Sequence, residues 1–452
     1  MKPTVVRAAA LPAGTPAVPV AIVGAGACGL TAALMLRDAG VECVLLERDA
    51  QAQGSTALSS GFIPAAGTRV QRAAGIGDDD AARFAGDIQA KAHGTAAPDL
   101  VAAYTGAIAP AIDALEARHG LCFELLDGFL YPGHGVRRMH SVAQRSGAAL
   151  MAALEAAALS AGAMLVTSAC VRELWCDAAD RVLGVGYLRP DGALEHLACR
   201  ALLLACNGFG GNAAMVGELL PEMRAAVFAG HAGNDGSAIA WGRQLGARLA
   251  DLGGYQGHGS WAVPQGALIS WALMMEGGIQ VNAEGRRFHD ETAGYSEAAL
   301  EVLAQPGATA WNVFDQRLLA LGRSFPDFVA AESAGAVREA GDAAALAARL
   351  GCDAAVLAAT LAGTRLEPPY SAIKVTGALF HTQGGLDIDS DCRVLHEDGR
   401  PFPNLLAAGG AARGVSGNAV WGYLSGNGLL SAVAGGFIAA RTAARQLGER
   451  SS

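Results

Sequence analysis

Two short stretches carry most of the chemistry in this sequence. Val18–Val23 ("VPVAIV") runs into "GAGACG" at Gly24–Gly29, then "LTAALMLRDAG", then "VECVLLE", which ends at Glu47. Glycines at the first, third and sixth places of such a turn suit a dinucleotide. Gly24 permits the tight turn, Gly26 lets a pyrophosphate reach a helix N-terminus, and Gly29 lets helix and strand close up. Glu47, at the end of the following strand, can accept from both ribose hydroxyls. Far along the chain, "WGYLSGNG" at 421–428 gathers three glycines with Tyr423 and Ser425 ahead of an apolar, helix-like run. Glycines before a helix bring backbone N–H groups close to something.

The elements that hold these groups follow from pattern. A strand, a helix, a second strand and a terminal acid stand in the order that a βαβ dinucleotide unit requires. The next segment, "QGSTALSSGFIPAAG" (53–67), is small, hydroxylated and glycine-rich. A nicotinamide domain would continue there into another helix, whereas a flavin needs hydroxyls and N–H groups along its pyrophosphate and ring. The expected cofactor is therefore FAD. Residues 81–165 look largely helical, and two strand-rich stretches follow, with a turn at Pro190–Gly192. "RALLLAC" ends in "NGFGGN", and "GNDGSAIAWGRQLGA" (233–247) is a glycine-acid turn into a helix. Residues 255–366 hold an apolar run, a β-like "GGIQVNAEGRRF" and several helices, with no nucleotide motif. Nucleotide-type sequence resumes at "ALFHTQGGLDID" and "NLLAAGGAARG". The expected fold class is α/β. A Rossmann-like FAD domain with a mostly parallel sheet (18–254 and 367–452) is interrupted by a smaller α+β cap (255–366), after a loose leader (1–17).

With 452 residues, 52% hydrophobic and 17% charged, the chain suits a globular, soluble protein of two or three domains. A net charge of −9 argues against nucleic acid or an anionic membrane as the main partner. The nine cysteines form no CxxC pair and no haem signature, which suits reduced thiols in the cytoplasm. Pro12, Gly14 and Pro16 break the first apolar stretch, which makes it a leader more than a signal peptide. No run reaches the ~18 apolar residues of a membrane helix. "DDDAARF" at 78–84 is an acidic helix start, and no metal site is expected.

These blocks together resemble the flavoprotein family of fumarate reductase, succinate dehydrogenase and 3-ketosteroid dehydrogenase. The markers are "GAGACGLTAA", "GSTALSSG", "LACNGFGGN", "GNDGSAIA", "GGIQVNAEGRRFHDE", "HTQGG" and "LLAAGGAARGV…SGNGLLSAVAGG", spread over most of the chain. The resemblance implies a Rossmann-like FAD domain and a mobile cap, with substrate between the isoalloxazine and the cap. It implies FAD contacts at Gly24, Gly26, Cys28, Gly29, Glu47, Arg48, Ser55, Thr56, Ser59, Ser60, Gly61, Asn207, Gly208, Asp235, Gly409, Gly410, Ser425, Asn427, Gly428, Leu429 and Leu430. Gly410 stands where the family usually has an acid. Ser55 stands where membrane fumarate reductases carry a flavin-linking histidine, so the FAD is expected to be non-covalent. "SGNGLLSAV" would set a helix N-terminus against the flavin pyrimidine and favour negative charge there.

The residues that choose the reaction follow from the same resemblance. His258 in "YQGHGSW" and His381 in "LFHTQGG" match the two substrate histidines of fumarate reductases. The arginines of that pattern do not appear. Trp271 and Met274 stand where a glutamate and an arginine are expected, the arginine acid falls on Tyr295, and the clamp arginine falls near Gly422–Tyr423. Tyrosines at the last two places look like the ketosteroid dehydrogenase arrangement. There Tyr423, with a backbone N–H of Gly426 or Gly428, would bind the substrate ketone and acidify the α C–H. Tyr295 would take the proton, with Tyr131 as a possible partner, and the β-hydrogen would leave as hydride to flavin N5. Ser425 would face the same cavity. Arg137 and Arg138 look like solvated loop charges, with a substrate carboxylate as the alternative role, and Arg317 like a surface or salt-bridge residue. The expected activity is desaturation next to a ketone, with a small-molecule substrate and a separate electron acceptor, in a monomer or homo-oligomer. Two alternatives stay open: a reductase or dehydrogenase of an unsaturated carboxylate, and a flavin-binding redox sensor without turnover.

Overall fold

The computed structural model describes residues 1–448 apart from 127 and 129, so 449–452 of the expected last segment and Phe129 beside Tyr131 lie outside the described residues. The chain forms two compact units. The first comprises Met1–Met215, Gly230–Tyr255 and His381–Ser452, and the second Val216–Ala229 and Gln256–Phe380. The sequence reading starts the inserted segment at 255 and ends it at 366. The second unit runs further because Tyr370–Thr382 is one uninterrupted strand.

The first unit is built on a nine-stranded sheet. Its main path uses β1 (Thr4–Arg7), β2 (Ala17–Val23), β3 (Cys43–Leu46), β4 (Met164–Val166), β5 (Cys170–Cys176), β6 (Val182–Leu188) and β7 (Leu194–Leu204). The spatial order is β1–β5–β6–β7–β2–β3–β4. β7, β2, β3 and β4 run parallel, and Pro401–Ala407 joins them alongside Leu202–Leu204. β6 is antiparallel to both neighbours. β3 is buried throughout, and β2 and β7 are buried and apolar over their last four residues, as expected of a sheet covered on both faces. β1 corrects the sequence reading: part of the expected loose leader is an edge strand, paired with β5 from Thr4↔Glu173 to Arg7↔Cys176.

Helix α1 (Ala27–Asp38) follows β2 and buries ten consecutive residues, Ala27 to Leu36. A helix that is apolar on every side must be covered on every side. Much of its cover is a long helix, α2 (Asn427–Gly448), which brings Gly436 so close that a Cβ there would strike the Cys28 carbonyl. The apolar sequence of the helix Pro98–His119 is broken by Asp99, Asp113 and Glu116 and holds no run of ~18 apolar residues. By length and composition it alone among the described residues is long and apolar enough to cross a membrane, and half of its apolar window is buried in the protein.

The second unit centres on the strand Tyr370–Thr382. In its sheet the order is Ala267–Leu268, Tyr255–Ala262, Tyr370–Thr382, Thr309–Asp315, Ile279–Val281, and Val227–Phe228 and Val337–Ala340 also pair with Tyr370–Thr382. The unit has its own apolar core, which includes Ile269, Val313, Phe314, Phe328 and Ile373.

Candidate functional site

The glycine turn behaves as its chemistry requires. Gly24 has φ +102°, and a Cβ there would lie 2.6 Å from the Ala205 carbonyl oxygen, so only glycine fits. At Gly29 a Cβ would strike the Gly24 carbonyl, whereas at Gly26 the nearest atom is Thr56 Oγ1 at 3.7 Å. Gly26 is also the N-cap of α1, with no side-chain cap and no acid in the first turn. The helix therefore begins with a positive dipole end that no acid of its own first turn offsets, which suits an anion. Thr56 Oγ1 accepts from Ala27 N at 3.2 Å. Glu47 is buried and accepts from Ala25 N at 2.9 Å and Asp49 N at 3.0 Å, which aims its carboxylate from both oxygens. Cys28 is buried, and burial pushes its thiol up to about 12, so it stays protonated. Ser59 accepts from Gly61 N at 3.0 Å and donates to the Thr56 carbonyl at 2.7 Å, while Ser60 is exposed.

The tip of β7 adds a second polar group. Asn207 has φ +65°, a left-handed conformation that asparagine tolerates. Its Oδ1 accepts from Gly208 N at 2.9 Å, so its Nδ2 points to Ser55 Oγ, at 3.0 Å. Asn234 Nδ2 reaches the same hydroxyl at 2.9 Å. A side chain at Gly410 would collide with Asn207 Oδ1, and Gly409 sits 3.3 Å (from an added Cβ) from the Cys28 Cβ. Asp235 accepts from Arg172 at 2.9 Å and from Ser237 N at 3.0 Å, and Arg48 donates to the Gly233 carbonyl at 2.8 Å.

The stretch Trp421–Gly428 forms the turn into α2. Tyr423, Ser425, Asn427 and Leu430 are buried, and Gly428 and Leu429 partly so. Tyr423 meets the His381 ring edge-on, with centroids 5.5 Å apart. A Cβ on Gly428 would lie 2.7 Å from His381 Cε1, so the imidazole rests on the first turn of α2. Desolvation pulls the His381 pKa down to about 4. His134 was missed in the sequence. Its Nε2 donates to the Ser425 carbonyl at 2.9 Å, and its Nδ1 accepts from Arg138 Nη1 at 3.2 Å. Arg138 is a correction: it is buried, not solvated, and its guanidinium makes a forked pair with Asp79 at 3.0 and 2.8 Å and also reaches Asp87. Arg137 is exposed, as the sequence suggested. Tyr131 packs edge-on to Phe62, and burial raises its phenol pKa, which makes it a weaker acid than an ordinary tyrosine.

In the second unit His258 stacks on Tyr295, with centroids 4.9 Å apart and planes 21° apart, and Trp271 and Phe380 each approach it at 5.7 Å. His258 Nδ1 accepts from Ser260 N at 3.1 Å, so neutral His258 carries its proton on Nε2. Burial holds its pKa near 3 (about 3 against the ordinary 6.5). Tyr295 opens the helix Tyr295–Leu303 behind Gly294. Trp271 and Met274 are buried core residues, and Trp271 Nε1 donates to the Glu291 carbonyl at 3.0 Å. Arg317 is exposed and donates to the Glu276 carbonyl at 2.6 Å. The structure thus brings His381 to Tyr423 in one unit and His258 to Tyr295 in the other.

Several features of the first unit call for a bound group with phosphates, hydroxyls and N–H donors. Gly26 gives the N-terminus of α1 no side-chain cap of its own, and the buried Thr31 Oγ1, Asn427 Oδ1 and Ser431 Oγ have no partner among the described residues. A model of the family described as "FAD binding domain" matches residues 19–429. The chain belongs to this family. FAD is the group that the glycine turn, Glu47 and the α2 turn fit. The flavoprotein is 28% identical over 450 residues to an NADH:fumarate oxidoreductase of Klebsiella pneumoniae (strain 342), which covers 94% of this chain and 48% of that protein. The chain therefore spans about half the length of that relative. It superimposes on the open conformation of a flavocytochrome c3 fumarate reductase with a TM-score of 0.82 and 25% identity, over 96% of this chain and 79% of that one. A 3-ketosteroid-delta4-(5alpha)-dehydrogenase from Rhodococcus jostii RHA1 gives a TM-score of 0.78 at 23% identity, over 98% and 100%. The last likeness is one of fold. Membership of the FAD-binding-domain family and likeness to these proteins are what the chain shows.

Proposed function

We propose that the flavoprotein introduces a C=C bond α,β to the ketone of a cyclic substrate. One observation carries this reading: the two candidate substrate histidines are neutral, and so are their recorded neighbours. His381 meets an amide, a carbonyl and an aromatic ring, and His258 a backbone N–H and three aromatic rings. Desolvation keeps both uncharged at neutral pH. Such groups donate hydrogen bonds to a carbonyl but give no net charge to hold two carboxylates.

In this reading Tyr423 and a backbone N–H of Gly426 or Gly428 bind the ketone oxygen. They stabilise the enolate that develops as the α C–H is broken, a kind of donation worth several kcal/mol. Tyr295 receives the α-proton, which requires that its pKa be lowered or its proton passed on. Tyr131, with its raised pKa, serves as a donor and not as the base. FAD, when bound, would supply a two-electron acceptor for the β-hydrogen, so that the substrate would lose one proton and one hydride and gain one C=C bond, with a separate electron acceptor completing the cycle. Ser55, in place of a flavin-linking histidine, supports a non-covalent cofactor. The nine free cysteines fit a reducing, cytoplasmic setting.

A second reading, reduction of an unsaturated carboxylate, is favoured by the Klebsiella relative. It lacks a cation at Tyr295 and Tyr423, and Arg138 is already paired with two carboxylates. Anaerobic titration separates the readings. Cyclic ketones should bleach the oxidised flavin. Reoxidation of the reduced flavin by an enoate such as fumarate, with no bleaching by ketones, would overturn the first reading. Silence toward both would leave a flavin-binding sensor.

A further inference from the structure

We propose that Asn427, Ser416 and Gln383 form a hydrogen-bond relay that fixes His381 as an Nε2–H donor, a group that polarises a substrate oxygen and does not take a proton. The proposal deepens the reading above and rests on it for the substrate contact.

The relay is continuous. Asn427 Nδ2 donates to Ser416 Oγ at 3.0 Å, Ser416 Oγ donates to Gln383 Oε1 at 2.9 Å, and Gln383 Nε2 meets His381 Nδ1 at 3.0 Å. Asn427, Ser416 and Gln383 are buried, so water does not substitute for a missing link. Each amide has one accepting end and one donating end, and the hydroxyl between them has one proton. A hydroxyl that accepted from both amides would leave its own proton without an acceptor among these buried contacts, so the links run in one sense. In the sense given, Nδ1 is an acceptor and the imidazole proton sits on Nε2. In the opposite sense Nδ1–H would donate to Gln383, Gln383 to Ser416, and Ser416 to Asn427 Oδ1. Nε2 would then be bare and able to act as a base.

The two ends distinguish these senses. At one end, the Thr382 carbonyl lies 3.4 Å from Nδ1, a longer and weaker contact than the Gln383 amide makes. At the other end, Asn427 Oδ1 is buried with no partner among the described residues. Asn427 is the first residue of α2, so this orphaned acceptor stands ready for an N–H or O–H of a bound group. The opposite sense would turn the Asn427 NH2 into that partnerless place, and a buried donor without an acceptor is rarer than an open carbonyl oxygen. The sense that leaves Oδ1 open is therefore favoured, and it places a proton on His381 Nε2. A Cβ on Gly428 would lie 2.9 Å from Nε2, so the proton-bearing edge of the ring lies on the first turn of the same helix. The relay thus ties the hydrogen-bonding character of His381 to the residue that opens α2.

Long-range ¹H–¹⁵N correlation spectra of ¹⁵N-histidine-labelled holoenzyme test this directly, with His381 assigned by its loss in His381→Asn. The expected pattern in the wild type is a protonated-type shift at Nε2 and a bare-type shift at Nδ1. The reverse pattern in the wild type would overturn the relay. In Gln383→Glu the acceptor-only carboxylate should draw a proton onto Nδ1. The FAD spectrum should be unchanged, and flavin reduction by a ketone substrate should fall roughly 10²-fold, the scale of a lost oxyanion donor. A wild-type proton pattern in Gln383→Glu counts against the relay. A proton moved to Nδ1 with an unchanged rate confirms the relay and refutes instead the contact between His381 and substrate.

Discussion

Acid should destabilise this protein through His258, and one conservative substitution should remove that sensitivity. His258 is buried, its Nδ1 is taken by the Ser260 N–H, and its recorded ring neighbours are the aromatic Tyr295, Trp271 and Phe380. Burial lowers its pKa from 6.5 to about 3. The unfolded chain binds a proton near the ordinary value, while the folded protein does not until about pH 3. Between those limits the unfolded state holds more protons, so stability falls as pH drops below 6.5 and the loss levels off once the folded pKa is passed. At about pH 4 the imbalance amounts to ~3 kcal/mol from this one ring. His258→Asn keeps an acceptor for the Ser260 N–H and removes the titration. Urea unfolding of wild type and variant at neutral pH and near pH 4 measures the difference, with the variant losing ~3 kcal/mol less on acidification. The His258 Cε1–H resonance should not move between about pH 8 and 5. A resonance that titrates near the ordinary histidine value, or equal acid losses in both proteins, refutes the argument. Refutation would also return a charged histidine to the site and revive the carboxylate reading.

Three further outcomes follow from residues already placed. Tyr423→Phe keeps the ring against His381 and loses only the hydroxyl. Flavin reduction by substrate should slow roughly 10²–10³-fold with little change in KM. Tyr295→Phe should cost roughly 10²–10⁴-fold and flatten an alkaline rise in the pH–rate profile. Stopped-flow rates across pH that match the wild type would remove either residue from the mechanism. Arg138→Met strands Asp79 and Asp87 without their cation and should cost about 3–5 kcal/mol in denaturant unfolding. Adding Asp79→Asn should recover part of that loss, and an unchanged midpoint for Arg138→Met would show that the pair is not buried in solution.

The βαβ unit was legible because its signals are local. The run Val18–Val23, three spaced glycines and an acid at a strand end lie within thirty residues, and the structure places β2, α1 and β3 on them. Arg138 was not legible. Beside Arg137 in "GVRR" it looks like half of a solvated pair, and its partners Asp79 and Asp87 lie 59 and 51 positions away. Only the tertiary fold brings them together. The strand Thr4–Arg7 was hidden for the same reason, since its partner β5 lies far along the chain. His134 sits in a loop of glycines and offers no periodic signal, and its role depends on the Ser425 carbonyl 291 positions away. Gln383 could have been noticed, because it interrupts "HTQGG" with a long polar side chain among glycines. Ser416 carried no comparable mark.

The interlocking of Asn207 and Gly410 has a consequence for how this site can change by mutation. Position 410 cannot take a side chain while Asn207 stands. Asn207 occupies the volume that any side chain at 410 would need, and its amide is fastened to Ser55 and to the Gly208 N–H. An acid introduced at 410 alone would meet that amide before reaching anything else. The permissible route replaces Asn207 first, with glycine as the residue that keeps its left-handed backbone and vacates the space. Of the two mutational orders, one passes through a working intermediate and the other through a jammed one, so the site retains a directional memory of how it was assembled.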